Sequence, residues 1–158
     1  MCSRSPHKNL NRLIKAFNQV KNIHSIPLSL SLTIDDESFF KKKILSKNKN
    51  KNLTIYNHIN LDEASLKKLY SQSEFLIYPS VVESFGLPLI ESIEFNCKVL
   101  ASDLPYVKEI IKPSKIFDPF SIFSISNSID YVIEKNNIVE SEMLIQNKID
   151  KFIGLIVS

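Results

Sequence analysis

The chain has 158 residues, 44% of them hydrophobic, and carries 20 Lys and Arg against 17 Asp and Glu, for a net charge of +3. That length suits one domain with a proper core, and so small a net charge does not by itself imply nucleic acid. Two cysteines, Cys2 and Cys97, give neither a disulfide framework nor metal-ligand spacing, and no run approaches the ~20 apolar residues of a membrane span.

The first periodic stretch is residues 8–21, where Leu10, Leu13, Ile14, Phe17 and Val20 fall at helical spacing and Asn9, Lys15 and Asn18 fall outside. Its start coincides with Lys8, so this lysine and the helix N-terminus can face one anion. Residues 28–34 alternate cleanly and predict a strand. Asp35 and Asp36 follow it, placed either to hold Mg²⁺ by oxygen ligation, as in a signalling receiver module, or to cap the next helix. Capping is favoured because the sequence places no third carboxylate beside them. Residues 39–45 predict a helix. The lysine- and asparagine-rich run 41–51 interleaves no aromatics for base stacking, so a solvated helix end fits it better than an interface with nucleic acid or an anionic membrane.

Residues 53–56 predict a third strand with His58 just beyond it, an ordinary loop position. Asp62 and Glu63 open a helix carrying Leu66, Leu69 and Tyr70. The chain then turns on its central stretch. Phe75 to Tyr78 is a short apolar run, expected for a parallel strand covered on both faces, and Pro79 cannot continue a central ladder. A loop carrying Glu83 follows. Gly86, one of two glycines in the chain, marks a sharp backbone bend or a close ligand approach. Pro88 fits the first turn of a helix over 87–95. The unpaired amides at that helix start suit phosphate oxygens. Glu91 stands about 6 Å further up the axis at ~1.5 Å per residue, the scale that separates a diphosphate from its ribose.

Asn96 takes a helix-ending position that favours the left-handed conformation. Residues 99–102 predict a buried strand, 105–109 a short helix and 116–117 a last short strand, with helices over 122–133 and 142–156. There are no internal repeats, and no Ser/His/Asp or Cys/His order rests on the three histidines.

The run Glu83-Ser-Phe-Gly-Leu-Pro-Leu-Ile-Glu91 after Tyr78-Pro79-Ser80 resembles the donor-site signature of glycosyltransferase family 4, retaining enzymes of the GT-B fold. The resemblance continues through Val99 to Glu109 and Phe117-Asp-Pro119, and reaches back to Pro6-His-Lys-Asn-Leu10 and Leu66-Lys-Lys-Leu-Tyr70. It covers about residues 3–135 of a single 1–158 nucleotide-sugar-binding domain, with 136–158 as a C-terminal helix. The implied fold class is α/β, a Rossmann-like doubly wound parallel sheet forming the C-terminal half of a GT-B enzyme, with its first strand largely missing. Loss of that strand leaves its neighbours with open hydrogen-bonding edges. On this resemblance the chain is expected to be a fragment or truncated reading frame, inactive alone, whose N-terminal domain would hold the acceptor.

The resemblance also implies roles. Glu91 would hold the ribose hydroxyls of a nucleotide-diphosphate sugar. Glu83 would contact the transferred sugar or lie under it, and the segment Ser84, Phe85, Gly86, Leu87 and Pro88 would meet the diphosphate. Lys8 would neutralise the diphosphate from across the cleft, with Arg4 as its partner. Ser84 departs from the glycine usual in the family, and Arg4 sits one residue closer to Lys8 than the commonest pattern has it. The implied reaction is retaining hexosyl transfer to an acceptor hydroxyl, in cell-surface polysaccharide or lipopolysaccharide synthesis, with no metal required and no nucleic-acid partner. The acceptor would be a glycan or lipid-linked glycan, and the location cytoplasmic with peripheral association at the inner membrane face. Two alternatives stay open: an inactive nucleotide-sugar-binding remnant or subunit needing a separate N-terminal partner, and a receiver-like signalling module using Asp35 and Asp36.

Overall fold

The computed structural model describes residues 5–21 and 26–145. Arg4, Cys2 and His24, and residues 146–158 of the predicted C-terminal helix, lie outside the described residues. After a 3-10 turn at Pro6–Lys8, the elements in chain order are α1 (Leu10–Phe17), β1 (Leu28–Leu32), α2 (Glu37–Phe39), β2 (Leu53–Asn57), α3 (Glu63–Gln72), β3 (Phe75–Tyr78), α4 (Leu87–Glu94), β4 (Lys98–Ser102), α5 (Pro105–Ile110), β5 (Ile111–Lys112), β6 (Lys115–Phe117), α6 (Ile122–Glu134) and β7 (Glu142–Met143).

The larger strands are all parallel. β3, β4 and β6 form one sheet, in register Phe75 with Lys98 and Leu100 with Lys115. β1 and β2 form a second, with Leu28 opposite Leu53. Side chains along these strands alternate between two cores, as a period of two requires. Phe75, Ile77 and Leu100 join α1, α6, β1 and β2 in one core, around the buried Leu13, Ile14, Ile34 and Ile44. Leu76, Tyr78, Val99 and Ala101 join α4 and α5 in the other, around Leu89, Val107 and Ile111. Helices on both faces of parallel strands give the doubly wound α/β arrangement expected.

The two sheets are not hydrogen-bonded to each other among the described residues. β1 and β3, the strands that face across the interval, line a shared groove instead. Among the described residues, β1 and β3 therefore have the open edges expected from the sequence. One consequence corrects an expectation: Phe75, Leu76 and Ile77 are only half-buried, and full burial within β3 is reached at Tyr78.

Several boundaries differ for local reasons. α1 begins at Leu10 rather than Lys8, because Asn9 adopts a left-handed conformation (φ 57°) between the 3-10 turn and the helix. Asn9 is also buried, not on the solvent side. Asp36 caps α2 by accepting from the Phe39 amide at 2.8 Å, as favoured, and the chain continues as a π-helix over Phe40–Ile44 and a 3-10 turn over Leu45–Lys47. Asp62 caps α3 through the Ser65 amide at 2.8 Å. Asn96 takes the left-handed conformation (φ 57°) that its position after α4 demands. The predicted helix over 142–156 opens instead on a strand, since β7 pairs antiparallel with β5. Lys112 and Glu142 form an ion pair across that ladder. Cys97 is buried, and burial pushes its thiol pKa up to about 11, which fits a packing role. Among the described residues no helix is long and apolar enough to cross a membrane.

Candidate functional site

The site lies beyond the carboxyl ends of β3 and β4, where open parallel sheets place their ligands. β3 ends at Tyr78, and the buried Pro79 and Ser80 pass the chain into the loop that carries Glu83. Three contacts fix that loop. The Val81 amide donates to the His7 carbonyl at 2.9 Å, so the loop is tied to the turn that carries Lys8. The Asn9 side-chain amide donates to the carbonyls of Pro79 at 3.1 Å and Pro119 at 2.7 Å, joining three segments through one buried group. The Tyr106 hydroxyl, from α5, donates to the Ser80 carbonyl at 2.8 Å.

Gly86 is the N-cap of α4, with φ 60° and ψ 32°. A side chain is disfavoured there by conformation, and space is short too, since a Cβ would lie 2.9 Å from Ile110 Cδ1 and 3.1 Å from Leu89 Cδ1. Of the two roles the sequence suggested for this glycine, the sharp bend is the one the backbone displays. No side chain caps the start of α4, and Pro88 stands in its first turn. Ser84, Phe85 and Leu87 are exposed around that start, Phe85 at 76%.

Lys8 and Glu83 form an ion pair, with side chains only 16% and 15% exposed. Burial opposes ionisation of Glu83, but hydrogen bonds from Lys8 and Ser80, the Lys8 charge and, last, Tyr78 outweigh it and hold the carboxyl below its ordinary value. Burial first, then the Glu83 charge, pushes the Tyr78 and Tyr106 phenols upward. Glu91 lies one turn into α4, where its Oε2 accepts from the Tyr70 hydroxyl at 3.1 Å. The Tyr70 ring stacks on Phe95 at 6.4 Å between centroids, nearly parallel, which orients its hydroxyl.

Lys8, Tyr70, Tyr78, Ser80, Pro88 and Glu91 all line the groove between β1 and β3, whose volume is about 990 Å³. Glu91 thus faces the crevice, and packed side chains leave the crevice open. Lys8, Glu91 and Pro88 in the first turn of α4 come together here, and Glu83 is joined to them through its ion pair with Lys8; Arg4 lies outside the described residues. A neighbouring cleft of about 620 Å³ offers Arg12 and Lys15 but no carboxylate.

Sequence reasoning assigned no role to Asn9, Tyr70, Tyr78 or Tyr106. Tyr70 and Tyr78 stood inside the quoted signature segments, but only tertiary packing shows that the Tyr70 hydroxyl donates to Glu91 and that the Tyr78 side chain lies beside Glu83. Asp35 is exposed and Asp36 is used as a cap. No group of three His, Cys, Asp or Glu side chains that could hold a metal ion occurs among the described residues. The receiver-like alternative therefore loses the acidic pair on which it rested.

Comparisons with known proteins bear on the fold and the family. An O-antigen chain mannosyltransferase of Salmonella typhimurium is 28% identical over 112 residues, 71% of this chain but 31% of that protein. A serotype-specific mannosyltransferase of Escherichia coli is 43% identical over 51 residues, 32% of this chain and 6% of that protein. The chain thus spans about a third or less of the length of these relatives. Among solved structures, the catalytic domain of a cholesterol-alpha-glucosyltransferase from Helicobacter pylori superposes with a TM-score of 0.68 at 19% identity, covering 85% of this chain and 83% of that one. The C-terminal domain of a group 1 family glycosyl transferase from Francisella tularensis superposes at 0.64 with 22% identity, covering 84% and 72%. These likenesses identify the fold as the Rossmann-like half of a GT-B enzyme. The sequence profile described as Glycosyl transferases group 1 matches residues 3–151, and the chain belongs to that family.

Proposed function

We propose that this chain is the donor-binding half of a retaining glycosyltransferase, which transfers a hexose from a nucleotide-diphosphate sugar to an acceptor hydroxyl. The observation that carries the reading is that a cation, Lys8, and a carboxylate, Glu91, line one groove together with Pro88 in the first turn of α4, whose start at Gly86 no side chain caps. The diphosphate would lie between Lys8 and the amides of Gly86 and Leu87, since Pro88 has no N–H and the Leu89 amide is bonded to the Gly86 carbonyl; the macrodipole adds about 0.3–1 kcal/mol there. Glu91, held by Tyr70, would accept hydrogen bonds from the ribose hydroxyls, each charge-assisted bond contributing about 1.5–3 kcal/mol.

Transfer would be driven by positioning and by stabilising the charge that builds on the leaving diphosphate. Lys8 and the amides of Gly86 and Leu87 would supply that stabilisation, and removing one such donor costs about 10²–10³ in rate. Glu83 would lie beside the transferred sugar. The relatives' names favour mannose as the hexose and a surface polysaccharide as the product. The second reading is an inactive nucleotide-sugar-binding remnant or a subunit that needs a separate N-terminal partner.

Isothermal titration tests the donor site. The chain should bind uridine or guanosine diphosphate at millimolar strength or tighter, and Glu91→Ala should weaken that binding at least tenfold. Equal binding by the variant, or none by the parent chain, overturns the reading. Transfer regained only on adding an acceptor domain in trans would select the subunit form.

A further inference from the structure

Among the described residues, the hydroxyl of Tyr78 is a buried side-chain polar atom with no hydrogen-bonding partner. The residue is 6% exposed and ends β3 at the floor of the groove. A fold rarely leaves a buried hydroxyl unpaired, so this one calls for an explanation. Its neighbours narrow the choice. The Ser80 carbonyl is already taken by Tyr106, and the Tyr78 carbonyl by the Ser102 hydroxyl at 3.3 Å. The Ser80 hydroxyl and the Glu83 carboxylate remain beside it, and of the two the carboxylate is the stronger acceptor, its charge already raising the Tyr78 phenol. Glu83, however, has its Oε1 committed to Lys8.

Lys8 and Glu83 neutralise each other in this state. On the donor-site reading, a diphosphate would compete with Glu83 for Lys8. A carboxylate that loses its cation in a partly buried site must take up a proton or find another donor. We propose that the Tyr78 hydroxyl is the second docking point of Glu83: when an anion draws Lys8 away, the carboxylate turns onto the Tyr78 O–H and stays ionised and fixed. The hydroxyl oxygen is too deeply buried to meet a ligand itself, so Tyr78 acts through Glu83 as a positioning residue. The groups facing Glu83 are Lys8 from the turn before α1, Tyr78 from β3 and Tyr106 from α5.

The test follows the Glu83 carboxyl by ¹³C NMR across a pH titration, in the parent chain, Tyr78→Phe, Lys8→Met and the double variant. With Lys8 present, Tyr78→Phe should move the Glu83 midpoint little. In the Lys8→Met background it should raise the midpoint by about one unit, a tenfold change in proton affinity. An equal shift in both backgrounds, or none after Lys8→Met, overturns the proposal. If Lys8→Met does not fold, inorganic pyrophosphate replaces the substitution. The Glu83 signal should then move with pyrophosphate, and its midpoint should rise only in Tyr78→Phe. A signal unmoved by pyrophosphate, or identical in both proteins, counts against the idea. None of these readouts uses a nucleotide, so failure here is separable from failure of the Glu91→Ala comparison.

Discussion

At the scale of single residues, Glu83 and Gly86 show why this loop tolerates few alternatives. Gly86 is held by conformation and by space at once, so the turn that presents the start of α4 depends on the packing of Ile110 from α5. Glu83 is held by charge. Its carboxyl titrates below its ordinary value of 4.5 in the folded chain, so the native state binds fewer protons than the unfolded state near that pH. The stability this provides is fully present above pH 4.5 and is lost as pH falls through the lower, folded value. Urea unfolding at a series of pH values should therefore show a decline below about pH 4.5 that is shallower in Glu83→Gln. The same variant should lose stability at pH 7, because it leaves the Lys8 ammonium partly buried without its counter-charge. An unchanged acid slope would remove Glu83 from the account.

At the scale of elements, most of the helices and strands were legible because their signals are local. Asp36 and Asp62 cap the helices they precede, Asn96 turns the chain after α4, and the run Phe75 to Tyr78 is a strand with the predicted ends. What escaped the sequence is non-local. Asn9 reads as an exposed helical position by periodicity, yet its side chain is recruited by carbonyls 70 and 110 residues away. β5 and β7 are two-residue strands that exist only through each other. Tyr70 sits on a helix of weak amphipathicity, where nothing in the spacing singles out its hydroxyl. Asn9 is the element-scale test. Asn9→Ala strands the Pro79 carbonyl, at about 1–3 kcal/mol for a buried group left unsatisfied, leaves the Pro119 carbonyl only the Arg12 guanidinium at 3.2 Å, and puts alanine at a positive φ. A loss of about 2–4 kcal/mol in urea unfolding is expected. Asn9→Gly removes the strain and should recover only the smaller part of it; full recovery would mean that the backbone turn, not the amide clamp, is what matters.

At the scale of the whole molecule, the interval between β1 and β3 governs both stability and function. β4 is paired on both sides, by β3 and β6, whereas β1 and β3 are each paired on one side among the described residues. In a parallel ladder alternate residues turn their amides to the same neighbour. The Leu28 amide donates to Asn52 at 2.9 Å, so those of Leu30 and Leu32 also face β2, and those of Ser29 and Ser31 face the groove. The Lys98 amide donates to Glu74 at 3.2 Å, which turns the amides of Leu76 and Tyr78 toward β4 and those of Phe75 and Ile77 toward the groove. The groove that could admit a ligand is therefore also a weakness in the sheet, with backbone donors on both walls that no strand pairs among the described residues. Native-state hydrogen exchange resolves this residue by residue. Val99 to Ser102 should be the best protected strand, and Ser29, Ser31, Phe75 and Ile77 should exchange faster than their in-strand neighbours Leu30, Leu32, Leu76 and Tyr78. Uniform protection along β1 and β3 would show the interval closed in solution, and the crevice in which Lys8 and Glu91 face each other would close with it.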